Sequence, residues 1–134
     1  MVQLAETIAL NEIDAEWTLL GSMFNALDRF GQIAADVNPD WFSDQIARYM
    51  FDECKKLIDE GHTLSTPVVI SLLPEDFAGI PRARFYANAR LGALPVDQLG
   101  GLIATLKDRW ARRQLLAAAD AMKAAAPLFG QDPY

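Results

Sequence analysis

The chain has 134 residues, of which 51% are hydrophobic and 22% charged, with a net charge of −6. These values fit one globular domain and exclude disordered and fibrous proteins. The negative charge argues against binding of nucleic acid through its phosphates. One cysteine excludes an internal disulfide. No apolar run approaches the roughly 20 residues that span a bilayer, and no signal peptide begins the chain, so we expect a cytoplasmic protein that does not bind membranes.

The charges are unevenly distributed along the chain. Residues 1–81 carry fourteen acidic and four basic side chains, whereas residues 82–134 carry eight basic and four acidic ones. This asymmetry has two interpretations. It describes two solvated faces, or it describes a dipolar surface that orients a protein partner or a second copy of the chain.

The N-terminal half reads as three helices. Residues 1–10 are weakly patterned and predict a tail, and Asn11 is a good N-cap for the first helix. An apolar stripe at steps of three and four residues follows, and Gly21 within it can permit a close helix crossing. The predicted caps of the second and third helices are Asp28 and Ser43, and Gly61 is the predicted C-cap of the third.

Between the second and third helices, a turn at Asn38-Pro39-Asp40 precedes the bulky pair Trp41 and Phe42. This pair is either part of the core or a surface hot spot.

The C-terminal half predicts two short helices and a long one. Thr66 is the predicted N-cap of the first, with Pro67 at its first helical position, and the second contains Phe85 and Tyr86. The longest pattern follows Pro95, runs for about 30 residues or about 45 Å, and ends at Pro127. Its last part is rich in alanine, which suits a projecting arm or a close helix contact.

The sequence therefore predicts an all-α fold, with a compact head of about five to six helices and one long C-terminal helix. The predicted segments are a tail at 1–11, the head at 12–94, the long helix at 95–127 and a tail at 128–134.

The chain lacks the usual signatures of catalysis. It has neither a phosphate-binding P-loop nor a G-x-G-x-x-G, and one histidine and one cysteine cannot form a typical zinc site. We expect His62 to be exposed beside a helix end and Cys54 to be buried on an apolar stripe. The sequence thus predicts no enzyme, no cofactor and no metal. An enzyme or ligand-binding bundle would need an apolar pocket with convergent polar groups.

The long helix carries the predicted interaction residues. Its basic cluster of Lys107, Arg109, Arg112 and Arg113 is either a solvated face or a contact for a partner. If the helix is an arm, the head alone cannot cover its apolar stripe, so we expect self-association through Leu106, Trp110 and the alanine-rich end. The candidate residues for contact with a partner or a second copy are Leu106, Arg109, Trp110, Arg113, Leu116, Trp41 and Phe42.

The order of these features resembles the N-terminal domain of DnaB-type replicative DNA helicases. The stretch Asp14-Ala15-Glu16-Trp17-Thr18-Leu19-Leu20-Gly21-Ser22-Met23 is similar to the opening helix of that family. Asn38-Pro39-Asp40-Trp41-Phe42, the helix end at 55–61, Thr66-Pro67 and the segment 106–116 follow in the family's order. The resemblance covers about residues 12–126.

The resemblance implies a non-catalytic domain that stabilises the helicase ring and docks primase, through its C-terminal domain, or a helicase loader. A full-length parent would be an ATP-dependent helicase. Three departures stand out: no ATPase domain follows, the second arm of the family's hairpin is missing, and the region 73–91 with Arg82, Arg84 and Arg90 is divergent. These departures are compatible with two interpretations: a domain excised from a longer protein, or a free-standing relative of the family. The alternative is a phage-like or regulatory adaptor that binds an unrelated protein.

Overall fold

The computed structural model describes residues 4–77 and 79–130, with side chains at 14–76 and 79–125. The described residues contain six α-helices, three short 3₁₀ turns and one very short hairpin, joined by loops. The helices are α1 (Leu4–Phe24), α2 (Phe30–Ala34), α3 (Gln45–Asp59), α4 (Thr66–Leu72), α5 (Arg82–Leu91) and α6 (Leu99–Gly130). The 3₁₀ turns span Leu27–Arg29, Pro39–Trp41 and Val96–Gln98. The predicted all-α fold with one long C-terminal helix is confirmed.

A two-residue hairpin was not predicted. Strand β1 (Asp76–Phe77) pairs antiparallel with β2 (Ile80–Pro81), and Gly79 at the turn has a φ of +83°. Only glycine adopts such a φ without steric cost, which fits a tight reversal. Two residues are too few for a recognisable alternation of polar and apolar side chains, so the sequence pattern gives no strand signal here.

Two helices extend beyond their predicted ends. The first helix begins at Leu4 rather than near Asn11, because the leucine, alanine and glutamate residues before Asn11 are themselves good helix formers. At the other end α6 continues through Pro127 to Gly130. Proline fixes φ near the helical value, so a helix can continue through it, but it loses one hydrogen bond and crowds the carbonyl one turn earlier.

Three predicted N-caps are wrong by about one residue. Asp28 lies inside a 3₁₀ turn, and α2 follows Arg29 without a side-chain cap. Helix α3 is capped by Asp44, whose carboxylate accepts from the amide of Ala47 at 3.0 Å. Helix α4 is capped by Ser65. Adjacent Ser, Thr and Asp residues cap almost equally well, so local sequence does not choose between them.

Gly61 ends α3 as predicted, directly after the C-cap residue Glu60. Gly61 has a φ of +87°, and its amide donates to the carbonyl of Ile58 at 2.9 Å. The amide of His62 donates to the carbonyl of Leu57, also at 2.9 Å. This pair of bonds is the Schellman motif, which satisfies the last carbonyls of the helix and needs a left-handed residue.

The core of the head gathers around the second half of α1. Helix α1 packs against α5 and α6, with α3 and α2 closing the other side. In the core the rings of Phe30 and Phe42 pack against the ring of Phe51 at a tilt, with centroid distances of 6.1 and 5.2 Å respectively. Burial of such side chains stabilises the fold by about 1.5–3 kcal/mol each.

Candidate protein-interaction surface

The base of α6 is part of the core. Leu99 and Leu106 are buried, and Ile103 and Trp110 pack half-buried against the same cluster. One turn further on, the guanidinium of Arg113 donates to the carbonyl of Trp41 at 2.9 Å. The head therefore covers the first four turns of the helix.

Beyond Arg113 the helix leaves the head. Every described side chain from 114 to 124 is exposed. This segment, here called the distal arm, includes three large apolar side chains: Leu115 is 70% exposed, Leu116 65% and Met122 73%. Large apolar side chains clustered on an exposed helix mark an interaction surface more often than isolated ones do.

The spacing on the distal arm makes one stripe. Leu115 and Met122 lie two helical turns apart and therefore share a face, with Ala118 and Ala119 between them. Small residues between large ones let a second helix approach closely. The distal arm is about 16 Å long at 1.5 Å per residue, which is enough for three turns of a partner helix.

The basic cluster of α6 is divided between two sides of the helix. Arg109 and Arg113 are half-buried on the side of the head, whereas Lys107 and Arg112 are exposed. Arg112 forms an ion pair with Asp108 at 3.2 Å, one turn before it. The four cations therefore do not form one continuous basic face.

Three of the candidate residues belong to the core. Leu106 is 1% exposed, and Trp41 and Phe42 are buried against the helices around them. These three side chains are core residues and not surface residues as the prediction required, because the base of α6 covers the turn at Pro39–Trp41. Contact of Arg109, Trp110, Arg113 and Leu116 with a partner stays a prediction.

The candidates for chemistry occupy ordinary structural positions. Cys54 is fully buried, and burial raises the pKa of its thiol to about 12, with the Glu53 carboxylate adding to the rise. His62 is exposed. On α3 the exposed Asp59 pairs with Lys55 at 3.3 Å.

The surface of the described residues carries grooves of modest volume. A groove of about 250 Å³ lies between Ile33 of α2 and Ile103 of α6, and a second, of about 170 Å³, lies between Trp17 of α1 and Asn88 of α5. Among the described residues no group of three or more His, Cys, Asp or Glu side chains is placed to hold a metal ion. None of the described helices is long and apolar enough to cross a membrane.

Glu16 is a buried acid that joins α1 to α3, and the sequence pattern does not single it out. The Glu16 carboxylate, 0% exposed, accepts from the Ser43 hydroxyl at 2.5 Å and from the Asp44 amide at 2.9 Å. Asp44 in turn accepts from the indole N–H of Trp17 at 3.1 Å. The sequence signal was weak, because one acid in an amphipathic helix ordinarily faces solvent.

Comparison with known proteins adds a family and a fold. The family model described as the DnaB-like helicase N-terminal domain matches residues 8–80. A solved structure, the N-terminal domain of DnaB helicase from Helicobacter pylori, described together with its interactions with primase, superposes with a TM-score of 0.66. The two are 14% identical, and the alignment covers 93% of this chain and 98% of that one. No curated protein sequence matches the chain.

Proposed function

Because this chain belongs to the family of DnaB-like helicase N-terminal domains, we propose that it is a non-catalytic protein–protein interaction domain of DNA replication. It associates with other helicase subunits, or with copies of itself, through the distal arm. It also docks the C-terminal domain of a primase or a helicase loader. The observation that carries the proposal is the exposed stripe of Leu115 and Met122 beyond a helix base that the head already covers.

The burial pattern supports an arm with a partner. The same helix has Leu106 at 1% exposure and Met122 at 73%, sixteen residues later. A helix that needed only its own head would have no reason to carry three large apolar side chains past the last contact, since each costs solubility when exposed. A second helix laid along the distal arm removes that surface from water and stabilises the complex.

The fold supports the choice of partner. The solved relative was described with its interactions with primase, and the likeness to it extends over nearly all of this chain. At 14% identity the two proteins share a fold, and from that shared fold we infer a primase partner for this chain. The composition points the same way, because a net charge of −6 disfavours DNA as the primary ligand.

The test is light scattering after size exclusion, with the chain alone and with the primase C-terminal domain of the same source. We expect a dimer or higher oligomer alone and a stable joint complex in the mixture. The double variant Leu115→Asp and Met122→Asp should be monomeric with an unchanged helical circular dichroism spectrum. Leu91→Asp, an exposed position in the head, is the matched control and should keep the wild-type mass.

The result that overturns the proposal is equally concrete. A wild-type monomer that forms no complex with primase would favour an adaptor for an unrelated protein. Trp110→Glu is a poorer probe than the arm variants, because Trp110 packs against the core and its replacement also destabilises the head.

A further inference from the structure

Helix α5 has a second exposed face that the arm does not involve. Its inner side packs through buried Tyr86 and half-buried Phe85 and Ala89. Its outer side presents Arg84, Ala87, Asn88 and Leu91, spaced at three, one and three residues, and all four are exposed. Residues with this spacing lie on one helix face.

The position of this face is fixed by contacts on the inner side. Arg90 donates from Nε to the Asn25 side-chain oxygen at 2.5 Å, and the Asn25 amide donates back to the Arg90 carbonyl at 3.3 Å. The Arg90 guanidinium also lies 5.7 Å from the centre of the Tyr86 ring. A face held by such contacts is already ordered before a partner arrives, which lowers the entropy cost of binding.

Leu91 is the apolar element of the face. It is 85% exposed, more than any other large hydrophobic residue described, and it sits where α5 ends. The groove of about 170 Å³ is lined by Asn88 of the same face and by Gly92, the residue after Leu91, together with Asp14, Trp17, Thr18 and Ala89. A bulky side chain of a partner placed in this groove would contact the half-buried Trp17 ring and cover Leu91.

Charge selects the partner. Helix α5 carries Arg82, Arg84 and Arg90 and no acidic residue. Arg90 is engaged with Asn25, but the side chains described place no acidic group within ion-pair distance of Arg82 or Arg84. Arg84 lies two turns, about 10 Å, before Leu91. An exposed arginine beside an apolar anchor complements a segment that has a carboxylate and a bulky apolar side chain at matching spacing.

We propose that the face formed by Arg84, Ala87, Asn88 and Leu91 docks an acidic amphipathic helix of another protein. Its apolar side chain covers Leu91 and enters the Trp17 groove, and its carboxylate pairs with Arg84. A protein is the better partner than nucleic acid, because Leu91 gives the face an exposed apolar contact and the chain as a whole is negative. This inference goes beyond the proposed function, since its residues lie in the head.

The test uses two panels of labelled synthetic peptides and fluorescence anisotropy with the full chain. Each peptide is a roughly 14-residue helix former, about four turns long, with one leucine or phenylalanine two turns from a charged pair. The pair is Glu-Glu in one panel and Lys-Lys in the other. We expect binding from the acidic panel only. Leu91→Ser and Arg84→Glu should each weaken it about tenfold, the factor that corresponds to about 1.4 kcal/mol.

The controls are the same kinds of substitution outside both proposed surfaces. Val68→Ser of α4 and Arg112→Glu of α6 replace an exposed apolar side chain and an exposed arginine and should leave the affinity unchanged. Arg84→Glu should in addition gain affinity for the lysine panel, since a charge reversal on one side is restored by a reversal on the other.

Five results would overturn the inference. The first four are no binding by any acidic peptide, equal binding of both panels, equal losses in the control variants, and an Arg84-dependent affinity for a single-stranded oligonucleotide that exceeds the peptide's. The fifth is a wild-type oligomer that Leu91→Ser dissociates, because the face would then belong to a second copy. The arm variants decide the proposed function separately.

Discussion

Gly21 of α1 and Ala89 of α5 meet with no room for a side chain between them. A Cβ placed on Gly21 would lie 2.0 Å from the carbonyl oxygen of Ala89 and 2.8 Å from its carbonyl carbon. The atoms it meets belong to backbone, so no rotamer change can relieve the contact. The crossing of α1 and α5 therefore depends on glycine at this position.

Gly21→Ala should destabilise the head by about 1–3 kcal/mol, as overpacking of a tight contact does. The gain in helix propensity, at most about 1 kcal/mol, does not offset the separation of two helices. Urea unfolding followed by circular dichroism measures the change. Gly100→Ala is the matched control, because a Cβ there meets nothing within 4 Å, and it should be neutral or slightly stabilising. Equal changes in the free energy of unfolding for the two variants would contradict the close contact between Gly21 and Ala89.

Glu16→Ala should cost about 2–3 kcal/mol, because it removes the acceptor of the Ser43 hydroxyl and the Asp44 amide and leaves a gap in a buried position. Glu16→Gln keeps one oxygen acceptor and should cost less. Ser43→Ala removes a single hydroxyl at an exposed residue and should cost about 1 kcal/mol. Free energies of unfolding in urea rank the three, and a Gln variant as damaging as the Ala variant would contradict the network.

Leu106→Ala should cost about 2–5 kcal/mol, since the side chain is buried at the base of α6. Leu115→Ala, two helical turns and two residues further on, should change the free energy of unfolding by less than about 0.5 kcal/mol when the protein is dilute enough to be monomeric. The comparison distinguishes a projecting arm from a helix that folds back. A large loss at Leu115 in the monomer would show that the head covers it.

Cys54 should make stability fall at alkaline pH. Its pKa rises from 9.0 to about 12 on folding, so the stabilisation is complete below pH 9 and is lost as the pH rises towards 12, because only the unfolded thiol ionises there. Between about pH 8 and pH 10 the loss is about 1.4 kcal/mol. Urea unfolding at both values, compared with Cys54→Ala, isolates this contribution. Identical pH slopes in the two proteins would contradict it.

Features of the structure that depend on a few neighbouring residues were predictable from the sequence, whereas features that depend on tertiary contacts were not. The C-cap at Gly61 was predictable, because a left-handed turn after an amphipathic helix selects glycine on its own. The N-caps at Asp44 and Ser65 were missed by one residue, because neighbouring polar residues compete and tertiary contacts decide. Ser43, for example, is not a cap because its hydroxyl donates to Glu16, 27 residues away along the chain.

The interaction surface was predictable only in part. Helical spacing identified a long helix with an uncovered stripe, but spacing alone does not tell where the head stops. Leu106 and Leu116 look alike in sequence, yet one is buried and the other exposed. The difference arises because the turn at Pro39–Trp41 reaches the helix up to Arg113. The outer face of α5 was not predicted, because Arg82, Arg84 and Arg90 lie in the region that diverges from the family the sequence resembles.

Helix α6 is continuous from Leu99 to Gly130, so its buried base and its exposed tip belong to one rod. Leu106 and Met122 lie about 24 Å apart along the helix axis. A stiff rod clamped at one end acts as a lever. A partner that holds the tip therefore also sets the orientation of the head, and with it the direction in which the α5 face points.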